Sequence, residues 1–196
     1  MPAKTEADVP SPIDLRTMKD AQEWADTVSA KRPWRQDFFS VFAEELRLLP
    51  EAQPSVLELG SGPGFLAQHL LRNLTLARYS ALDFSDAMHA LAKARLGDLS
   101  GRVEFLTRDF LSPHWSDSLP QYSAVVTLQA VHELRHKRHA PVLYEQVRNL
   151  LSSDGVFLVC DHFSGSGARS NTALFMSLEE HEDLLRQAGF RAIQSC

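Results

Sequence analysis

Five short β-type runs, each followed by a helical stretch or a loop, leave this chain few ways to bury its apolar side chains. The runs are Val56-Leu57-Glu58-Leu59, Tyr79-Ser80-Ala81-Leu82-Asp83, Val103-Glu104-Phe105-Leu106, Ala124-Val125-Val126-Thr127 and Val156-Phe157-Leu158-Val159-Cys160. Helical patterns fill the intervals at Gly64 to Leu74, Asp86 to Leu96, Pro141 to Leu151 and Leu178 to Ala188. Strands that alternate with helices pair in parallel, with the crossovers covering both faces of the sheet. The near-continuous apolar character of the first and fifth runs fits burial on both sides, and Asp154-Gly155 reads as the turn into the fifth. The expected class is α/β, a three-layer α-β-α arrangement around a mostly parallel sheet.

Ahead of the first strand the period changes. From Leu15 to Ala30 and from Gln36 to Leu49, apolar residues recur at helical spacing, with Pro33 at the break and Pro50 as the stop. Met1 to Pro12 carries three prolines and no apolar period, so it reads as a flexible leader. The expected organisation is one structural unit, with leader and helical cap in 1–52 and the α/β domain in 53–196. At 196 residues and 44% hydrophobic content the chain can bury a substantial core. No apolar run approaches the roughly 20 residues that span a bilayer, and the leader lacks a signal-peptide core. A cytoplasmic protein with no membrane partner is expected. Two cysteines, Cys160 and Cys196, support neither a disulfide framework nor a four-cysteine zinc site. A formal charge of −5 argues against nucleic acid as a partner and for a small-molecule acceptor.

The most specific signal is Val56 to Leu71, VLELGSGPGFLAQHLL, in which a buried strand runs through Glu58-x-Gly60-x-Gly62-x-Gly64 directly into a helix. Positions without side chains let a backbone turn sharply and approach a ligand, and the helix start offers unpaired N–H groups. A dinucleotide fingerprint requires its third glycine where Phe65 stands. The spacing therefore disfavours a nicotinamide cofactor. An ordinary tight strand-to-helix turn is the structural alternative.

Acid-x-Gly-x-Gly-x-Gly after the first strand resembles the signature of the class I S-adenosylmethionine-dependent methyltransferases, and the likeness runs from about Val56 to Phe190. The resemblance implies a Rossmann-like methyltransferase fold with S-adenosyl-L-methionine as cofactor. It places Gly60, Ser61, Gly62 and Gly64 beneath the methionine part and Glu58 on its amino group. By the same resemblance Asp83 accepts from the ribose hydroxyls, Phe84 lies against the adenine face, Asp109 accepts from the adenine amino group, and Phe110 follows with its backbone N–H. The end of the fourth strand, with Thr127, Leu128 and Gln129, would pass beside the transferable methyl through its backbone. Structural alternatives stand beside these roles: a helix cap for Asp83, a core ring for Phe84 and a solvated loop for Asp109.

The loop after the fourth strand borders the acceptor pocket in that family. His132 is therefore the candidate polar contact to the acceptor, or a general base, with a hydrogen-bonded histidine at a helix start as the alternative. His162, next to Asp161, and Trp34 are further candidates for acceptor contact, whereas Phe38 and Phe39 read first as helix packing. Ser164 to Asn171 reads as a loop at the pocket mouth or a segment without function. The Asn-Pro-Pro-aromatic motif of amide and base-nitrogen methyltransferases is missing.

His132-Glu133-Leu134-Arg135-His136 also satisfies the H-E-x-x-H pattern of zinc hydrolases. The connection before Pro141 is too short for the long helix that pattern needs, and Lys137 and Arg138 repel a divalent cation. No metal is expected. The reading is in-line methyl transfer to a small molecule, with a non-catalytic cofactor-binding module as the alternative and a zinc hydrolase behind it. One departure from the family is expected at Phe190 to Cys196, where the usual closing β-hairpin is incomplete.

Overall fold

The computed structural model describes residues 7–165 and 171–195. Strands β1 (Ser55–Leu59), β2 (Arg78–Asp83), β3 (Val103–Thr107), β4 (Tyr122–Leu128) and β5 (Leu151–Cys160) form one sheet in the order β3-β2-β1-β4-β5. Every pairing is parallel, as the alternation requires. Helices α1 (Met18–Lys31) and α2 (Arg35–Arg47) precede the sheet, and α3 (Phe65–Asn73), α4 (Asp86–Leu96), α5 (Ala140–Leu150) and α6 (Leu178–Gln187) follow in turn. No helix among the described residues is long and apolar enough to cross a membrane.

The period-two geometry of a strand divides the core. Val56, Tyr79, Ala81, Ala124 and Val126 face α2 and α3, with Phe39, Phe42, Leu66 and Leu70 packed over them. Leu57, Leu59, Leu82 and Val125 face the other way, toward Leu143, Tyr144, Val147 and Leu185 of α5 and α6. Both faces are thus covered, and the three-layer expectation holds. Phe39 is buried within the first cluster, as the packing expectation had it.

Several boundaries and environments differ from expectation. β5 is an edge strand and only half-buried along most of its length, because among the described residues β4 alone pairs with it. Its apolar character reflects one covered face rather than two. β5 also starts earlier than expected: Tyr122 faces Leu151 but Ala124 faces Val156, so Asp154-Gly155 turns within a bulge in the ladder. Among the described residues no strand follows Cys160.

The leader is more tightly held than its composition suggests. The Val9 amide donates to the Arg135 carbonyl at 2.7 Å, and the Arg135 guanidinium returns bonds to Val9 and Pro10 carbonyls at 2.8 and 2.7 Å. Asp8 pairs with Arg138 and His139 at 2.5 and 2.9 Å. Proline-rich backbone cannot build its own ladder, but its carbonyls are good acceptors for a fixed guanidinium. Residues 1–6, and 166–170 of the Ser164 to Asn171 loop, lie outside the described residues, as does Cys196.

Candidate active site

Where β1 ends, the chain takes the left-handed conformation at Gly60, Gly62 and Gly64, with φ of 66°, 53° and 78°. At Gly60 there is also no room for a side chain, since a Cβ would meet the Cβ of Ala130 at 2.3 Å. Gly64 lies against Ala92 of α4, where a Cβ would sit 3.0 Å from the alanine methyl, and so lets two helices approach.

Asp83, at the end of β2, fixes the loop. Its Oδ2 accepts from the Gly62 amide at 2.8 Å and its Oδ1 from the Ser85 amide at 2.9 Å. Helix α4 is capped by Ser85, whose hydroxyl accepts from Met88 at 3.1 Å, so Asp83 is not the cap. Burial pushes the Asp83 carboxyl up to about 6, against the pull of the Gly62, Ser85 and Phe84 amides. Glu58 is buried on β1, where its Oε2 accepts from the Tyr79 hydroxyl at 2.5 Å. Burial pushes Glu58 up to about 8, opposed by the Tyr79 hydroxyl and the Arg35 charge.

These groups border one cleft at the carboxyl ends of β1, β2 and β4, the edge at which open parallel sheets bind ligands. Glu58, Gly60, Ser61, Gly62, Asp83, Phe84, Phe110, Gln129 and His132 are among the residues that line it. Three lining residues carry buried polar atoms with no hydrogen-bond partner among the described residues: Arg35 Nε and Nη1, Ser61 Oγ and Gln129 Oε1. Buried polar atoms left unpaired cost roughly 1–3 kcal/mol each. Their convergence fits a ligand rich in hydrogen-bonding groups.

Other expected residues stand elsewhere. Thr127 does not border the cleft, because its hydroxyl donates across the sheet to the Leu59 carbonyl at 3.1 Å. Asp109 is on the rim: its Oδ1 accepts from the Leu111 amide at 2.9 Å, and its Oδ2 lies 3.5 Å from Arg16 Nη2. The same Arg16 guanidinium covers the Phe84 ring at 4.4 Å. Gln129 has φ of 59°, and its Nε2 lies 2.7 Å from His162 Nε2.

His132 Nδ1 lies 2.6 Å from Asp161 Oδ1, and the His132 amide donates to Asp161 Oδ2 at 2.9 Å. His132 Nε2 is 3.3 Å from Glu133. Burial disfavours the imidazolium, but the Asp161 and Glu133 carboxylates outweigh it and hold His132 up at about 9. The rings of Trp34, His162 and Phe175 extend this corner: Trp34 to His162 is 6.2 Å, His132 to His162 5.4 Å and His132 to Phe175 5.6 Å. Trp34 and His162 thus stand beside the cleft rather than on its wall. The H-E-x-x-H match has no metal geometry. Val131–Leu134 is one 3-10 turn ended by Arg135 at φ of 63°, so His132 and His136 do not share a helix face. Among the described residues no group of three or more His, Cys, Asp or Glu side chains converges as a metal site.

Arg35 is the group sequence reasoning missed. Its signal was present: Arg35 precedes Phe39 and Phe42 by one and two helical turns, which places it on the buried stripe of α2.

Residues 57–157 match the family model described as methyltransferase domain, more than half of the chain. The chain belongs to the methyltransferase domain family. Among relatives of this chain, 61 residues are 39% identical to the malonyl-[acyl-carrier protein] O-methyltransferase of Magnetococcus marinus, over 31% of this chain and 22% of that protein. Over 170 residues it is 22% identical to the carboxy-S-adenosyl-L-methionine synthase of Nautilia profundicola, covering 87% of this chain and 69% of that one. In fold it resembles an O-methyltransferase family protein from Burkholderia thailandensis, with a TM-score of 0.74 at 18% identity over 91% of this chain and 56% of the other. The chain thus spans about a fifth of one relative and just over half of that structure. The class I S-adenosylmethionine-dependent family and the Rossmann-like methyltransferase fold expected from the glycine loop are borne out.

Proposed function

We propose that this methyltransferase binds S-adenosyl-L-methionine in the cleft and transfers its methyl group in line to a small-molecule acceptor held near His132. The observation that carries the reading is the convergence on one cleft of Glu58, Asp83, the glycine loop and the unpaired Ser61 and Gln129 atoms. When bound, that cofactor supplies an activated methyl on a sulfonium centre. The work of the protein is then alignment, for which positioning supplies up to roughly 7–11 kcal/mol.

In this reading Glu58 ionises to hold an ammonium group, and Asp83, whose two oxygens each accept one backbone amide, from Gly62 and Ser85, offers its remaining lone pairs to ribose hydroxyls. Phe84, Phe110 and Asp109 define the nucleobase end, and the backbone of Thr127 to Gln129 lies toward the methyl. Trp34, His162 and Phe175 wall an acceptor site whose polar end is His132. His132 is the polar contact that positions the acceptor, with Asp161 fixing its ring, and it receives a proton only in the neutral form that prevails above about pH 9. Residues 1–52 act as leader and cap and 53–196 as the cofactor domain, and the short apolar runs and modest negative charge support a cytoplasmic enzyme.

Calorimetry with S-adenosyl-L-methionine, followed by methyl-tritium transfer to a panel of small acceptors, tests this. Saturable binding that Asp83→Ala weakens, with label moving to an acceptor, is the expected result. Binding without transfer to any acceptor would leave a non-catalytic binding module, and absence of binding would overturn the reading altogether.

A further inference from the structure

Arg135 closes the 3-10 turn Val131–Leu134 in the left-handed conformation, with φ of 63°, where a residue bearing a Cβ is strained. The contacts of its side chain offset that strain. Nε and Nη2 donate to the Val9 and Pro10 carbonyls of the leader at 2.8 and 2.7 Å, and Nη1 donates to Glu133 Oε2 at 3.1 Å. The other carboxylate oxygen, Glu133 Oε1, lies 3.3 Å from His132 Nε2. Only 14% of the Arg135 side chain and 12% of that of His132 are exposed, so water screens these contacts little. Burial raises the Glu133 carboxyl, but His132 and Arg135 outweigh it and hold it below its usual range. Glu133 is therefore a carboxylate shared by two cationic donors. His132 and Glu133 line the cleft, whereas Arg135 does not. Beyond Arg135 the leader reaches the α4 end of the cleft, where Leu15 joins the lining and its carbonyl accepts from the Ser85 hydroxyl at 2.5 Å.

We propose that Arg135 is a positioning residue for methyl transfer, which acts through Glu133 on His132 and makes the leader part of the acceptor site. The proposal rests on the reading of His132 as the polar contact to the acceptor and deepens it, since that contact is ordered only when the leader is seated. The imidazole is then held at both nitrogens, Nδ1 by Asp161 from the end of β5 and Nε2 by Glu133, with the His162 and Phe175 rings beside it at 5.4 and 5.6 Å. A separation of 3.3 Å is long for a hydrogen bond between charged groups, which leaves the Nε2 proton free to be shared with an acceptor molecule.

Histidine side-chain NMR of the full chain, titrated with pH, is the first test and needs neither cofactor nor acceptor. Arg135→Gly removes the guanidinium and leaves the backbone at ease in the left-handed region. Loss of a nearby cation by itself would let His132 keep its proton to higher pH. Loss of the Glu133 contact makes His132 titrate below the wild-type value of about 9, and this is the expected result. Val9→Pro deletes the amide that donates to the Arg135 carbonyl, changes no charge, and should lower the titration by less. Methyl-tritium turnover on an acceptor that wild type uses should fall by about 10- to 100-fold in Arg135→Gly, the scale of a misplaced contact, with cofactor affinity unchanged. Added to Glu133→Gln, Arg135→Gly should cause no further loss, because both break one path. A His132 titration raised or unmoved in either leader-contact variant, undiminished turnover in Arg135→Gly, or losses that add in the double variant overturns the proposal and leaves the cofactor reading standing. Wild type that transfers no methyl group overturns both.

Discussion

His132 and Asp161 meet twice, side chain to side chain at 2.6 Å and His132 amide to carboxylate at 2.9 Å. The double contact fixes both the ring and the backbone of the loop after β4, and determines how a proton is held at the edge of the cleft. Asp161→Asn should bring the imidazole down from about 9, because burial then acts with less opposition. A histidine proton titration by NMR reads this directly. If the ring fixed by Asp161 positions the acceptor, turnover should fall by about 10²-fold, with little change in cofactor affinity. An unchanged titration would remove Asp161 from this role.

Glu58 makes stability and binding depend on pH with a definite sign. Its carboxyl is raised from 4.5 to about 8 in the fold, so between those values the native state binds more protons than the unfolded chain. The stabilisation is fully present below pH 4.5 and is lost as pH rises through 8. Ligand-free protein should melt at lower temperature at pH 8 than at pH 6, and Glu58→Gln should flatten that window. Binding of S-adenosyl-L-methionine should release close to one proton at pH 7, measurable by calorimetry in buffers of different ionisation heat. Release well below half a proton would separate Glu58 from the ammonium.

Two glycines of one loop should respond unequally to alanine. Gly62→Ala meets no neighbour within 4 Å and carries only the left-handed backbone penalty of about 1–2 kcal/mol. Gly60→Ala adds a clash with Ala130 at 2.3 Å, for a further cost of about 1–3 kcal/mol. Urea unfolding of the two variants should rank them in that order. Equal midpoints would show that the loop yields freely at Gly60.

Arg16 lies over Phe84 and beside Asp109, the two side chains assigned to the nucleobase. A base seated there has to displace it. Arg16→Ala should therefore tighten S-adenosyl-L-methionine by up to about fivefold, the scale of one exposed cation–π contact. Weaker binding in the variant would instead make Arg16 a partner of the ligand.

The sheet, its layers and the glycine cradle were legible because each rests on local periodicity or on backbone conformations few residues adopt. Asp86 to Leu96 was read to the residue. What sequence could not convey was pairing across the fold. Whether Thr127 turns toward a ligand or across to Leu59, and whether Arg135 secures the leader, depends on neighbours far apart in the chain. β5 read as central because apolar residues on a half-covered edge look like those of a buried strand. Arg35 went unread because a lone arginine among phenylalanines resembles a snorkelling surface side chain, and only the depth of its fork reveals otherwise.

Asp161 is the first residue beyond β5, and β5 is held on one flank alone among the described residues. The anchor of the histidine is thus moored to one of the two border strands of the sheet, where local opening costs less than at its centre. Fraying that begins at the border reaches the proton site before it reaches the glycine cradle, so the chain can let go of an acceptor while its grip on the nucleoside persists.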